Sequence, residues 1–120
     1  IAFPERSRDV QKWKAISIGS GYYRFESKAS NKALHESAEA FNQSSTAKHV
    51  ISFPRNTNAE AQKWKPIDVG GGFNKEQCKK SGKLLHASSG LYSGSPSGTY
   101  VIVYPSNSND RQKWKFKRTN

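Results

Sequence analysis

The tripeptide Gln-Lys-Trp occurs three times in this chain, at Gln11-Lys12-Trp13, Gln62-Lys63-Trp64 and Gln112-Lys113-Trp114, with the tryptophans 51 and 50 residues apart. Each copy is followed by a further lysine. The likeness reaches well beyond the motif: Gly21-Tyr22-Tyr23-Arg24 through Ser30-Asn31-Lys32-Ala33-Leu34-His35 aligns without a gap with Gly72-Phe73-Asn74-Lys75 through Ser81-Gly82-Lys83-Leu84-Leu85-His86. A further shared block precedes each motif, as Ile1-Ala2-Phe3-Pro4, Ile51-Ser52-Phe53-Pro54 and Ile102-Val103-Tyr104-Pro105. A repeat of this period is one supersecondary unit that cannot bury its apolar face alone, so the units must pack on one another.

The blocks read as strands. Tyr23, Phe25, Val50-Ile51-Ser52-Phe53 and Tyr100-Val101-Ile102-Val103-Tyr104 are β-branched or aromatic, and they stop at proline, glycine, asparagine or serine. No segment sustains a 3.6-residue apolar period. Ser30-Asn31 and Ser81-Gly82 share one repeat position, and asparagine and glycine best tolerate a left-handed backbone, so each predicts a tight turn. In each Lys-Trp-Lys the two-residue alternation of a strand sends the tryptophan to one face and both lysines to the other. Glu36 to Thr46 and Ser88 to Gly98, equivalent in the repeat and rich in small polar residues, predict long loops. Asn42-Gln43-Ser44 in the first is a glycosylation sequon, relevant only to a protein secreted from a eukaryote.

With 120 residues and 33% hydrophobic content, the chain predicts one domain with a lean core. The single cysteine, Cys78, excludes an internal disulfide and predicts a half-buried strand thiol. No apolar run is long enough to span a bilayer, and no signal-peptide pattern is present. The Ile1 start without any methionine predicts a processed or excised product, and secretion with signal removal is one route to it. Lys and Arg outnumber Asp and Glu by 20 to 9, for a net charge of +11, which favours anionic partners such as acidic glycans or phospholipid surfaces. Charge alone does not choose among such partners, and because the charges are spread along the chain a basic surface that serves solubility is also open; nucleic acid is not the expected partner.

His35, His49 and His86 are the groups that invite a catalytic or metal reading. His35 and His86 are repeat-equivalent and fall in different lobes, which argues against a shared metal. No nucleophile elbow, zinc-protease motif, phosphate loop or carboxylate pair is present, so neither an enzyme nor a cofactor is expected.

Three Gln-x-Trp copies at even spacing, each in a unit reading glycine, aromatic, strand, Ser-Gly-Lys-x-Leu, loop and apolar strand, resemble the ricin-B-type β-trefoil lectin family over essentially the whole chain. The resemblance implies an all-β trefoil of three pseudo-repeats, each able to hold a sugar in a shallow pocket. It places Gln11, Gln62, Gln112, Trp13, Trp64 and Trp114 in the structural core. Only 12 residues precede the first tryptophan, so the expected division is a partial lobe over 1–20, then lobes 21–71 and 72–120. The first lobe lacks its opening half. An upstream segment, another chain or an open barrel would each account for that, and an open edge invites a homo-oligomer or partner chain.

The departures from the family bear on the ligand. Where relatives carry an aspartate after the leucine of Ser-Gly-Lys-x-Leu, this chain has His35 and His86. Where an asparagine often precedes the glutamine, it has Val10, Ala61 and Arg111. The sugar-stacking aromatic has counterparts in Phe3, Phe53 and Tyr104. The expected pocket of the last lobe is therefore His86, Tyr104, Asn107, Asn109, Asp110 and Arg111. That of the lobe before it is His35, Phe53, Asn56 and Asn58, and the pocket at Phe3, which has no histidine, should be dead. An aromatic face covers sugar C–H groups while amides and imidazole meet the hydroxyls. Arginine beside histidine favours an acidic sugar, with a galactose-type glycan as the other expected ligand. The alternative is a polyanion or membrane-surface binder that uses the lysine pairs without a sugar pocket.

Overall fold

The computed structural model describes residues 13–40, 47–91, 99–107 and 110–115. Phe3, Val10, Gln11, Asn109 and the sequon Asn42-Gln43-Ser44 lie outside the described residues. The fold is all-β, and the described residues form eight strands, β1 (Trp13–Gly19), β2 (Tyr22–Ser27), β3 (Ala33–Ala40), β4 (Lys48–Phe53), β5 (Trp64–Gly70), β6 (Phe73–Cys78), β7 (Leu84–Leu91) and β8 (Thr99–Tyr104), with short 3-10 turns at Glu60–Gln62 and Asp110–Gln112. Among the described residues there is no α-helix.

The repeat of the sequence is a repeat of pairing. In the β1–β2 hairpin Trp13 faces Ser27 and Ile16 faces Arg24, and in the β5–β6 hairpin Trp64 faces Cys78 and Ile67 faces Lys75. The β3–β4 pair sets Ala33 against Phe53 and His35 against Ile51, and β7–β8 sets Leu84 against Tyr104 and His86 against Ile102. All pairs are antiparallel, in the order β1-β2-β3-β4-β8-β7-β6-β5, and a further β2–β5 pairing at Tyr23 and Trp64 closes the barrel. A bridge between Asn74 and Trp114 repeats that closure one unit further on.

The predicted turns form. Asn31 and Gly82 take φ of 58° and 74°, the left-handed conformation for which asparagine and glycine carry the smallest penalty. Asn31 N donates to Ser27 O at 2.7 Å and Gly82 N to Cys78 O at 2.8 Å, so one backbone geometry serves both repeats. The two predicted loops begin later than the composition suggests, because β3 runs on to Ala40 and β7 to Leu91 beyond irregularities between Glu36/Ala40 and Ala87/Leu91. Ala38 and Glu39 are exposed there. A ribbon with water on its outer faces needs no apolar alternation, and so its sequence reads as a loop.

Phe25, Val50, Trp64, Cys78, Leu85 and Val103 form the core, with Tyr23, Leu34, Val101 and Trp114 packed against it. Trp64 is fully buried, and its indole N–H donates to Leu34 O at 3.1 Å; Trp114 repeats the contact with Leu85 O at 3.0 Å. A buried indole needs such a partner. Trp13 corrects the expectation of three equivalent core tryptophans, since it is 42% exposed. The carbonyls that Trp64 and Trp114 use lie 30 and 29 residues upstream, on β3 and β7. Cys78 is more enclosed than expected, fully buried with its thiol pushed up to about 12 by that burial.

Candidate functional site

Each repeat ends in a loop held by its motif glutamine. Gln62 is buried; its Nε2 donates to Pro54 O at 2.9 Å, and its Oε1 accepts from Asn56 N at 2.9 Å. Gln112 repeats both bonds, to Pro105 O and from Asn107 N, again at 2.9 Å. The amide thus spans the loop that follows the aromatic strand, which fixes the aromatic relative to the 3-10 turn.

On that frame an imidazole and an aromatic ring meet in each repeat. The His35 and Phe53 centroids stand 4.8 Å apart with the rings tilted by 31°, and those of His86 and Tyr104 stand 5.2 Å apart at 39°. Strand pairing brings them together, because Phe53 and Tyr104 sit two residues beyond the histidines' partners on the same ladders and so share their face. Phe53 is 48% exposed and Tyr104 37%, so both rings offer a face to solvent.

Both histidines are held below the ordinary imidazole range, mainly by burial, with Lys80 adding to the effect at His35 and Arg111 at His86. Both are therefore neutral at pH 7. At His35 the Gln62 Nε2 lies 3.1 Å from Nδ1. An amide nitrogen can only donate, so Nδ1 accepts and the proton resides on Nε2. His86 is more deeply set, with its buried Nδ1 lacking a hydrogen-bond partner among the described residues. The two pockets are similar in plan, and the His35 ring is the more fixed.

The flanking residues divide. Arg111 Nη1 donates to Ala87 O at 3.2 Å, next to His86 in the chain, and its guanidinium acts on that imidazole. Asn107 stays on the loop, with its carbonyl accepting from Lys75 Nζ at 2.8 Å. Asn56 Oδ1 accepts from Asn58 N at 3.0 Å, so this pair shapes the first loop as well as facing solvent. Asp110 departs from the expected pocket: its carboxylate pairs with Lys113 at 2.9 Å and lines a separate shallow groove with Val69, Gly70 and Phe73. Neighbours in a 3-10 turn are about 120° apart around its axis, so Asp110 and Arg111 face different sides. Sequence reasoning missed Val69 and Phe73, whose only signal is a position beside the glycine-rich turn of β5–β6.

No group of three or more His, Cys, Asp or Glu side chains able to hold a metal is found among the described residues. No helix there is long and apolar enough to cross a membrane.

An all-β barrel of repeated four-strand units, each closed by a Gln-x-Trp segment, is a β-trefoil of the lectin type. The chain belongs to the ricin-type β-trefoil lectin domain-like family, which it matches over residues 9–90. It is similar to a designed threefold-symmetric protein, ThreeFoil, at 28% identity and a TM-score of 0.78 over 94% of this chain and 76% of that one. It is also similar to an exo-β-1,3-galactanase from Clostridium thermocellum, at 22% identity and a TM-score of 0.79 over 96% of this chain and 23% of that one. A mosquitocidal holotoxin resembles it at 19% identity and a TM-score of 0.77, over 95% of this chain and 13% of that one. The last two likenesses concern the fold alone. No curated protein matches the sequence.

Proposed function

We propose that this chain is a non-catalytic carbohydrate-binding module whose described pockets are centred on His35 with Phe53 and on His86 with Tyr104. The observation that carries the reading is the repeated pair of a neutral, partly enclosed imidazole and an exposed aromatic ring on a glutamine-clamped loop. A pyranose has an apolar C–H face and a hydroxyl rim. The ring covers the first, and at His35 the Nε2 proton is available to the second. Family membership supports the same reading, as does the presence of similar folds inside a galactanase and a holotoxin, each far longer than this chain. In such a setting the module acts as a targeting domain, and alone it acts as an agglutinin, in either case outside the cell. The net charge of +11 and Arg111 beside His86 favour acidic glycans over neutral galactose-type ones. Completion of the first lobe by a second copy or a partner chain remains part of this proposal.

A glycan array read at low and high salt tests it, with wild type, Phe53→Ala and Tyr104→Ala side by side. The expected result is binding that survives high salt, falls about fivefold in Tyr104→Ala, and weakens in Phe53→Ala for glycans held in that pocket. The second reading, a polyanion or membrane-surface binder, draws on the exposed lysines that flank the tryptophans. It takes over if every signal collapses at high salt and both aromatic variants bind like wild type.

A further inference from the structure

Beside the Phe53 pocket two guanidiniums converge on one carboxylate. Arg24 Nε donates to Glu26 Oε2 at 2.8 Å, and Arg55 Nη1, from the loop that leaves β4, donates to the same oxygen at 3.4 Å. The register sets this cluster next to the pocket: Glu26 pairs with Ala33 and Ala33 with Phe53, so the three share one face of adjacent strands. His35 lies two residues beyond Ala33, on that same face. With strands about 4.8 Å apart, the Glu26 and Phe53 backbones stand about 10 Å from each other. Only Ala33, small and buried, lies between them, and Arg55, two residues after Phe53, spans the gap.

The cluster carries surplus charge and unused donors. One arginine would neutralise Glu26, and the second adds a positive charge that the ion pair does not need; Lys14, the register partner of Glu26 on β1, is exposed and adds to the surplus. Glu26 stays ionised, because the Arg24 guanidinium, with Arg55 behind it, holds its carboxyl below the ordinary carboxylate range. The Arg24 side chain is only 12% exposed and so is held in place, whereas that of Arg55 is 56% exposed. Each guanidinium spends one N–H on Glu26, and neither has another partner among the described residues. A guanidinium carries five donors, so Arg55 keeps a forked edge for an anion. The other repeat builds no such cluster. Lys75, Gln77 and Ser106 stand at the positions of Arg24, Glu26 and Arg55, and Lys75 Nζ donates to Asn107 O at 2.8 Å while Gln77 Nε2 donates to Gly82 O at 3.0 Å.

We infer that Arg55, backed by Arg24, reads an acidic group in the pocket of His35 and Phe53, so that this pocket selects sugars bearing a carboxylate or a sulphate. This rests on the carbohydrate reading of that pocket. A sugar ring stacked on Phe53 brings its substituents toward the Arg55 fork, and a planar guanidinium meets the oxygens of a carboxylate or a sulphate in pairs. Glu26 is the counterweight: it orients both guanidiniums, yet its own charge repels the same anion and lowers the affinity. In the His86 pocket the arginine comes instead from the 3-10 turn, as Arg111, where the earlier repeat has Ala61. The two pockets thus meet an acidic group from different sides.

The test uses the full chain carrying Tyr104→Ala, which weakens the other pocket, on an array of matched neutral, sialylated, uronic-acid and sulphated glycans. Arg55→Gln, Arg55→Lys and Glu26→Gln are each added to that parent, with native folding checked by the fluorescence of buried Trp64. Arg55→Gln should lower acidic-glycan affinity roughly threefold to tenfold and leave neutral glycans unchanged, and Arg55→Lys should recover part of the loss. Glu26→Gln should raise acidic-glycan affinity, a gain that a merely structural ion pair would not give. Preference for the carboxylate arms or for the sulphate arm supports the inference and names the group. Equal losses on neutral and acidic glycans in Arg55→Gln, an acidic preference that Arg55→Gln leaves intact, or a parent that binds neutral glycans alone overturns the role of Arg55 while the Phe53 pocket stands. If wild type binds no glycan at all, the carbohydrate reading itself fails and this inference fails with it.

Discussion

Glu76 occupies the repeat position of Phe25, on the inner face of β6, and its side chain is fully buried with neither carboxylate oxygen hydrogen-bonded among the described residues. Burial raises its carboxyl from an ordinary value of 4.5 to about 7. A carboxyl whose folded pKa lies above its unfolded one binds its proton more tightly in the native state, so stability falls as pH rises through the window from 4.5 to 7 and levels off above it. At 1.36 kcal/mol for each pKa unit, the ionised Glu76 costs about 3 kcal/mol at pH 8 relative to pH 4. Glu76→Gln keeps the shape and removes the titration. The measurement is urea unfolding, followed by tryptophan fluorescence, of both proteins at pH 4.5, 6 and 8. The two should be of similar stability at the acid end, and Glu76→Gln should gain about 3 kcal/mol over wild type at pH 8, worth about 10 °C in Tm. Glu26, His35 and His86 also titrate abnormally, but they are common to both proteins and cancel in the difference. Parallel pH profiles for the pair would show that Glu76 is solvated or partnered, and would refute the argument. Glu76→Phe, which copies the other repeat, should stabilise further at pH 8 by adding apolar burial.

Other expectations are testable on the same protein. Cys78, buried and with its thiol pushed up to about 12, should resist a thiol reagent at pH 7.5 while folded and react fully in urea; fast labelling of the native protein would contradict its burial. Gln112→Ala removes the donor to Pro105 O and the acceptor for Asn107 N, and should cost about 2 kcal/mol in denaturant titration. A loss well under 1 kcal/mol would show that the loop holds without its clamp. Replacing exposed Lys14 and Lys65 with glutamine should flatten the salt dependence of glycan binding and leave high-salt affinity unchanged.

The fold was legible because the repeat leaves a covalent record. Equal spacing, the turn residues Asn31 and Gly82 and the Gln-x-Trp segments all follow from backbone geometry, and backbone geometry is what the repeat preserves. The ring pairs of the site were legible for the same reason, since ladder register places His35 by Phe53 and His86 by Tyr104. What sequence could not carry is whatever depends on segments far apart in the chain. Trp13 and Trp64 have the same local sequence, yet one is 42% exposed and the other fully buried, with its indole N–H on the Leu34 carbonyl of β3. Asp110 and Arg111 are adjacent, yet one faces a groove formed with β5 and β6 and the other the His86 pocket. Glu76 reads as an ordinary surface acid until the alignment with Phe25 shows which face it takes. In a repeat protein the local segment thus fixes backbone and ring pairing, while burial, titration and the second wall of every groove belong to the interface between units. Substitutions at such interfaces should therefore affect the stability of one repeat without touching its twin.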